Sequence, residues 1–167
     1  MNHVTAKSPA DCDAAEVRDF VSLVLQGGEV SPHGLSQRVA GARILSFLRR
    51  DGSLAGVAGL KRPEASYRRR ISSSAKFELS QELLPLELGW VFLLISARGA
   101  KLSLPLCEPL IQAAGSAGIF ATSRASNVGM HATLAKLGFR GAGEEWFSKQ
   151  TAQKLCLFVR DSSRPVV

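Results

Sequence analysis

The chain has 167 residues, 46% hydrophobic and 21% charged, with 21 basic against 14 acidic side chains for a formal net charge of +7. That length suits a single domain over residues 1–167 with its own core, and the composition excludes a disordered or fibrous chain. Three widely spaced cysteines, Cys12, Cys107 and Cys156, suggest neither a disulfide framework nor a zinc site, so reduced thiols are expected and no metal is. Residues 1–12 contain Pro9 and Asp11 and no apolar run, and the longest apolar stretch, 83–95, is interrupted by Pro85 and Glu87. The expectation is a soluble, cytoplasmic protein without a membrane span.

The basic excess is local. Residues 43–76 hold nine basic and two acidic side chains, which accounts for the whole net charge. Such a patch attracts phosphates. Phe47 and Tyr67 are the only aromatics of that segment, and no nucleic-acid motif interleaves with the charges. A solvated face is therefore favoured over nucleic-acid binding.

In chain order, residues 1–10 read as a loose terminus, as do 162–167. From Asp13, Val17, Phe20, Val21 and Val24 fall at helical spacing; Asp13 with Glu16 forms a capping box, and Gly27-Gly28 stops the helix. A short helix follows Ser31-Pro32. Residues 42–60 read as a hairpin turning at Asp51-Gly52. A helix is expected around 64–75. Residues 88–95 form an apolar run of strand length, suited to burial on both faces of a sheet. Residues 103–117 read as a helix with Ser103 at its start and Pro105 in its first turn; Pro109 should kink it or delay its start. A buried strand begins at Gly118, a helix capped by Ser126 runs to about Leu137, and two strands close the chain. This alternation predicts an α/β (α+β) fold with a mixed sheet.

Residues 87–139 carry the chemistry. A strand leading through S-A-R-G-A-K-L-S into a helix aims backbone N–H groups and a helix dipole at one point, an anion cradle to which Arg98 and Lys101 add charge. The segments ELGWVFLLISARGAKLS and IFATSRASNVGMHATLAKLGF resemble the two central motifs of the GNAT acetyltransferase superfamily. The resemblance implies a single domain whose strongly twisted sheet splays between its fourth and fifth strands, with helices on both faces. It implies acetyl-CoA as cofactor, its pantetheine pairing with strand backbone near Leu93 and Ile95 and its pyrophosphate on the N–H groups of Arg98, Gly99, Ala100, Lys101, Leu102 and Ser103. Asn127 would contact the pantetheine arm or a bound water, or else is a plain capping residue. A strand N–H would polarise the acyl carbonyl.

Glu87 stands where the family places its proton-accepting glutamate. Burial beside an apolar strand would suit it to act as a base near neutral pH; a solvated strand-edge carboxylate is the equal alternative. His131 reads first as a packing histidine. Trp90 and Trp146 read as core or edge residues. Lys101 and Ser103 replace the turn's usual glycines, and lysine resists close approach and positive φ. Leu134 replaces the tyrosine that often protonates the leaving thiolate. The implied activity is acetyl transfer from acetyl-CoA to an amine of a small molecule or peptide. The alternative is a catalytically impaired module that binds CoA or another ligand as a sensor or partner protein. The family often dimerises, and nothing in this sequence decides for or against a homodimer.

Overall fold

The computed structural model describes residues 1–163. In order along the chain come β1 (Asn2–Lys7), α1 (Ala14–Gln26), α2 (Leu35–Ala40), β2 (Ile44–Arg50), β3 (Ser53–Lys61), α3 (Ala65–Ala75) and β4 (Leu86–Leu93). There follow α4 (Ser103–Ala114), β5 (Ile119–Arg124), α5 (Val128–Lys136), β6 (Arg140–Phe147) and β7 (Lys154–Arg160). The strands form a seven-stranded mixed sheet in the order β1-β2-β3-β4-β5-β7-β6, flanked by helices. β4 and β5 run parallel, and their ladder consists of two residue pairs, Leu86 with Ile119 and Glu87 with Phe120. Among the described residues, that parallel ladder has no pair beyond Glu87 and Phe120.

The chain folds as two compact units: Met1–Lys61 with Leu88–Ala113, and Arg62–Glu87 with the segment from Ala114 onward. In the first, α1 begins with the expected box. Asp13 Oδ1 accepts from the Glu16 N–H at 2.8 Å, and Glu16 Oε2 accepts from the Asp13 N–H at 2.9 Å. The buried face of α1 sets Phe20 edge-on to Phe47 and to Trp90, with ring centroids 5.6 and 5.9 Å apart. Leu35, Val39, Leu45 and Val57 complete that core. In the second unit Ile71 and Ala75 of α3 pack with Leu79, Leu84, Phe120, Leu157 and Val159.

Several expectations need correction. Residues 2–7 are not loose: they form β1, an edge strand paired antiparallel with β2 from Asn2–Arg50 to Lys7–Leu45. The segment is polar and short because an edge strand is held by its backbone ladder, which hydrophobic patterning does not reveal. At the other end, Ser162 Oγ and the Ser163 N–H both donate to the Ser116 carbonyl; residues 164–167 lie outside the described residues. Of the kink or delayed start expected of Pro109, the delay does not occur: α4 starts at Ser103 and runs through it. α5 is capped by Asn127 rather than Ser126, because the Asn127 Oδ1 is the acceptor that reaches the Met130 N–H, at 3.1 Å.

β4 spans Leu86–Leu93 rather than 88–95, and it contains one residue in the left-handed region, Trp90 at φ 55°. A bulky aromatic at positive φ is a true outlier and marks a local reversal of the strand's backbone. The indole still reaches the core because Gly59 on β3 leaves room. A Cβ built at Gly59 would stand 2.5 Å from the Trp90 ring. Lys61 caps the outer side of the indole, its ammonium 4.9 Å from the ring centroid.

Candidate functional site

In the first unit β4 runs into a one-turn 3-10 helix, Ile95–Ala97, and then into the segment 98–103 that opens α4. Ile95 therefore lies outside the strand, and its side chain is 81% exposed. Arg98 closes the turn with its own atoms. Its N–H donates to the Ile95 carbonyl at 3.1 Å and its Nε donates to the Leu93 carbonyl at 2.9 Å. The guanidinium lies 5.6 Å from the Phe92 ring centroid, so the side chain folds back along the strand.

The next four N–H groups, of Gly99, Ala100, Lys101 and Leu102, donate to no backbone carbonyl among the described residues. The Leu102 carbonyl accepts from the Leu106 N–H, so α4 begins immediately after it and directs its positive dipole end at this turn. Gly99 has φ 82° and Lys101 φ 58°. Alternation of left-handed residues with ordinary ones turns successive N–H groups toward one side and makes an anion-binding concavity. Lys101 thus adopts the positive φ that a lysine was expected to resist. Such a conformation costs a non-glycine residue about 1–2 kcal/mol, and the turns on both sides hold it there. A Cβ at Gly99 would meet nothing within 4 Å, so the approach to the backbone is open. This donor set fits a phosphate or pyrophosphate.

The second unit holds a buried polar cluster. Glu87, in the first turn-to-strand residues of β4, is 2% exposed. The Tyr67 Oη donates to its Oε1 at 2.9 Å. Burial, followed by the negative charge of Glu87, pushes the Tyr67 phenol well above its ordinary value near 10, so it remains a neutral donor. Arg68, beside it on α3, is 6% exposed. It donates from Nη1 to the carbonyls of Leu84 at 2.6 Å and Leu79 at 3.3 Å, and from Nη2 to that of Pro85 at 3.2 Å. Its guanidinium also lies 5.3 Å from the Phe120 ring centroid. Burial pulls the Arg68 guanidinium below its ordinary value while the Glu87 charge opposes that pull. One residue pair on α3 thereby fixes both the segment that feeds β4 and the carboxylate at its start.

Asn127, the other residue expected at the cofactor, is the exposed cap of α5. His131 Nε2 donates to the Arg124 carbonyl, 2.9 Å away, and the ring packs 4.9 Å from the Phe158 ring, a packing histidine. Leu134 is fully buried and belongs to the core. Cys107 is buried, and burial pushes its thiol up to about 12, which leaves it unreactive. Trp146 packs against the core of the second unit. An open groove of about 480 Å³ lies on α1 and α2, lined among others by Val17, Val21, Leu25 and Arg18; it contains none of the expected site residues. Tyr67 and Arg68 escaped the sequence reading as site residues, and the only signal for Tyr67 was that it is the single tyrosine of the chain, set in a basic segment.

No family model matches the chain, and no curated protein matches it. Solved structures share its fold. An acyl-CoA N-acyltransferase from Pseudomonas aeruginosa aligns with a TM-score of 0.64 at 20% identity, covering 96% of this chain and 99% of that one. A GNAT-family acetyltransferase from Streptococcus agalactiae gives 0.67 at 14% identity over 96% of each chain. yncA from Salmonella typhimurium, whose structure holds its cofactor acetyl-CoA, gives 0.67 at 16% identity, covering 99% of this chain and 96% of that one. The chain therefore has the GNAT fold. A fold hosts many activities, and the activity has to be argued from the site.

Proposed function

We propose that this chain of GNAT fold is an N-acyltransferase that takes an acetyl group from acetyl-CoA and passes it to an amine of a small molecule or peptide. The observation that carries this reading is the run of four N–H groups, Gly99 to Leu102, at the start of α4, which donate to no backbone carbonyl among the described residues. It is built for a pyrophosphate, and it follows β4 in a fold shared with acyl-CoA enzymes. The backbone edge of β4 beyond Glu87 is the surface on which an extended pantetheine arm would pair. Bound there, acetyl-CoA supplies an activated thioester carbonyl.

The remaining work falls to the chain. The N–H groups of 99–102 hold the phosphates, and the ammonium of Lys101, on an exposed side chain, adds charge beside them. Glu87 accepts the proton that the acceptor nitrogen releases. Because its carboxylate is buried, that proton travels through a water rather than by direct contact. A core leucine at 134 cannot donate a proton, so a thiolate leaves without help from that position.

Calorimetric titration with acetyl-CoA, with dephospho- and desulfo-analogues as controls, tests the cofactor. Saturable binding, weaker for the dephospho-analogue and weaker again in Gly99→Val, is expected. Absence of binding at millimolar acetyl-CoA would remove the acyltransferase reading and leave the fold.

A further inference from the structure

We propose that Tyr67 is the positioning residue for Glu87: its hydroxyl holds the carboxylate in one orientation and in its proton-accepting form through the 2.9 Å bond to Oε1. This rests on Glu87 serving as the base. The geometry favours a built contact over a chance one. Tyr67 and Arg68 are consecutive, and Arg68 clasps the carbonyls of Leu79, Leu84 and Pro85, which fixes the chain entering β4 relative to α3. Thr122 on β5 shares a hydrogen bond with the same phenol oxygen, so the hydroxyl has an acceptor on one side and a donor on the other. The guanidinium of Arg70 lies 5.6 Å from the Tyr67 ring centroid and pins the ring from outside.

A hydrogen bond to a buried carboxylate favours its charged form. Removing that bond favours the protonated form, so the pH below which the base is lost moves upward. The phenol stays neutral across the assay range and is not itself the titrating group. The other charged groups on the elements beside Glu87 in its unit are Arg68, Arg69 and Arg70 on α3 and Arg124 on β5. All are basic, so none is a second carboxylate beside Glu87.

The sequence contains a single tyrosine, so replacing tyrosine biosynthetically with 3-fluorotyrosine labels Tyr67 alone and makes it a stronger donor. The full chain is assayed for kcat/KM against pH as wild type, Tyr67→Phe and the fluorinated protein. In Tyr67→Phe the acid limb should rise by about one pH unit, with kcat reduced and the KM for acetyl-CoA unchanged. In the fluorinated protein the limb should fall. The fluorine resonance of the resting protein should show a titration step at the wild-type limb that disappears in Glu87→Gln. If Glu87→Gln keeps full turnover, the base reading fails and takes this inference with it. If Glu87→Gln loses turnover but neither the limb nor the resonance responds, the inference alone fails. Should Tyr67→Phe not fold, the fluorinated protein keeps the native ring and bonds and decides the matter.

Discussion

The proposed phosphate cradle and the carboxylate cluster are built on opposite plans. The cradle is made of backbone: four N–H groups on an exposed turn, shaped by φ values of 82° at Gly99 and 58° at Lys101. The cluster is made of side chains: Glu87, Tyr67 and Arg68, drawn together in the interior from positions 20 residues apart. A backbone site tolerates changes of side chain as long as the dihedrals survive, which is why a lysine stands where a glycine would be easier. A side-chain cluster has no such slack, because a buried polar atom that loses its partner bears its whole desolvation penalty.

The largest effect that separates the two regions is kinetic. Glu87→Gln should lower kcat by roughly 10²–10⁴-fold, the usual contribution of a general base, while leaving the Kd for acetyl-CoA unchanged by calorimetry. A change in Kd of similar size would show that binding and chemistry are not divided between the regions in this way.

Arg68→Ala comes next and tests the fragility of the cluster. It strands three carbonyls, of Leu79, Leu84 and Pro85, that the guanidinium now satisfies. The expected loss is about 3 kcal/mol, read as a fall in Tm of roughly 10 °C. Arg68→Lys should recover little of it, since an ammonium cannot reach carbonyls in the fork geometry of a guanidinium. A variant that melts like wild type would make the arginine an ornament of the loop.

Gly99→Val sharpens the contrast from the other side. A β-branched residue at φ 82° is strained by about 1–2 kcal/mol, so the turn should relax to another conformation and scatter its N–H groups. Acetyl-CoA affinity should drop about tenfold with little change in the melting of the core, because Gly99 is exposed and a side chain there meets nothing within 4 Å.

The same division explains what the sequence could convey. The strand–turn–helix around residues 98–103 was readable because its ingredients are adjacent: a strand, a glycine and a helix with Pro105 in its first turn. The helix α1 and the β2–β3 hairpin were readable for the same reason, each being announced by a capping box or an Asp-Gly turn. Glu87 was placed by resemblance to a family rather than by any local rule. Tyr67 was invisible as a site residue, because its bond to Glu87 depends on how α3 packs across an intervening loop of no periodicity. β1 was missed since an edge strand of alternating polar residues carries no hydrophobic signal, only a backbone ladder. Ile95 was set on the strand because its apolar run continues past Leu93, whereas a 3-10 turn ends the strand there and leaves the side chain in solvent.

The smallest effect probes whether the cradle is backbone alone. Lys101 contributes a left-handed conformation and a charge, and two substitutions part them. Lys101→Ala removes the charge and keeps the strain; Lys101→Gly removes both. If the dihedral is held as described, the glycine variant should be more stable than the alanine variant by about 1 kcal/mol, or 2–4 °C in Tm. Acetyl-CoA affinity should then be weaker in both than in wild type by the same modest factor, and the wild-type advantage should shrink as salt is raised, because it comes from an exposed ammonium. Equal stability of the two variants would mean that the turn does not hold residue 101 at positive φ, and the concavity would have to be made by Gly99 and the first turn of α4 alone.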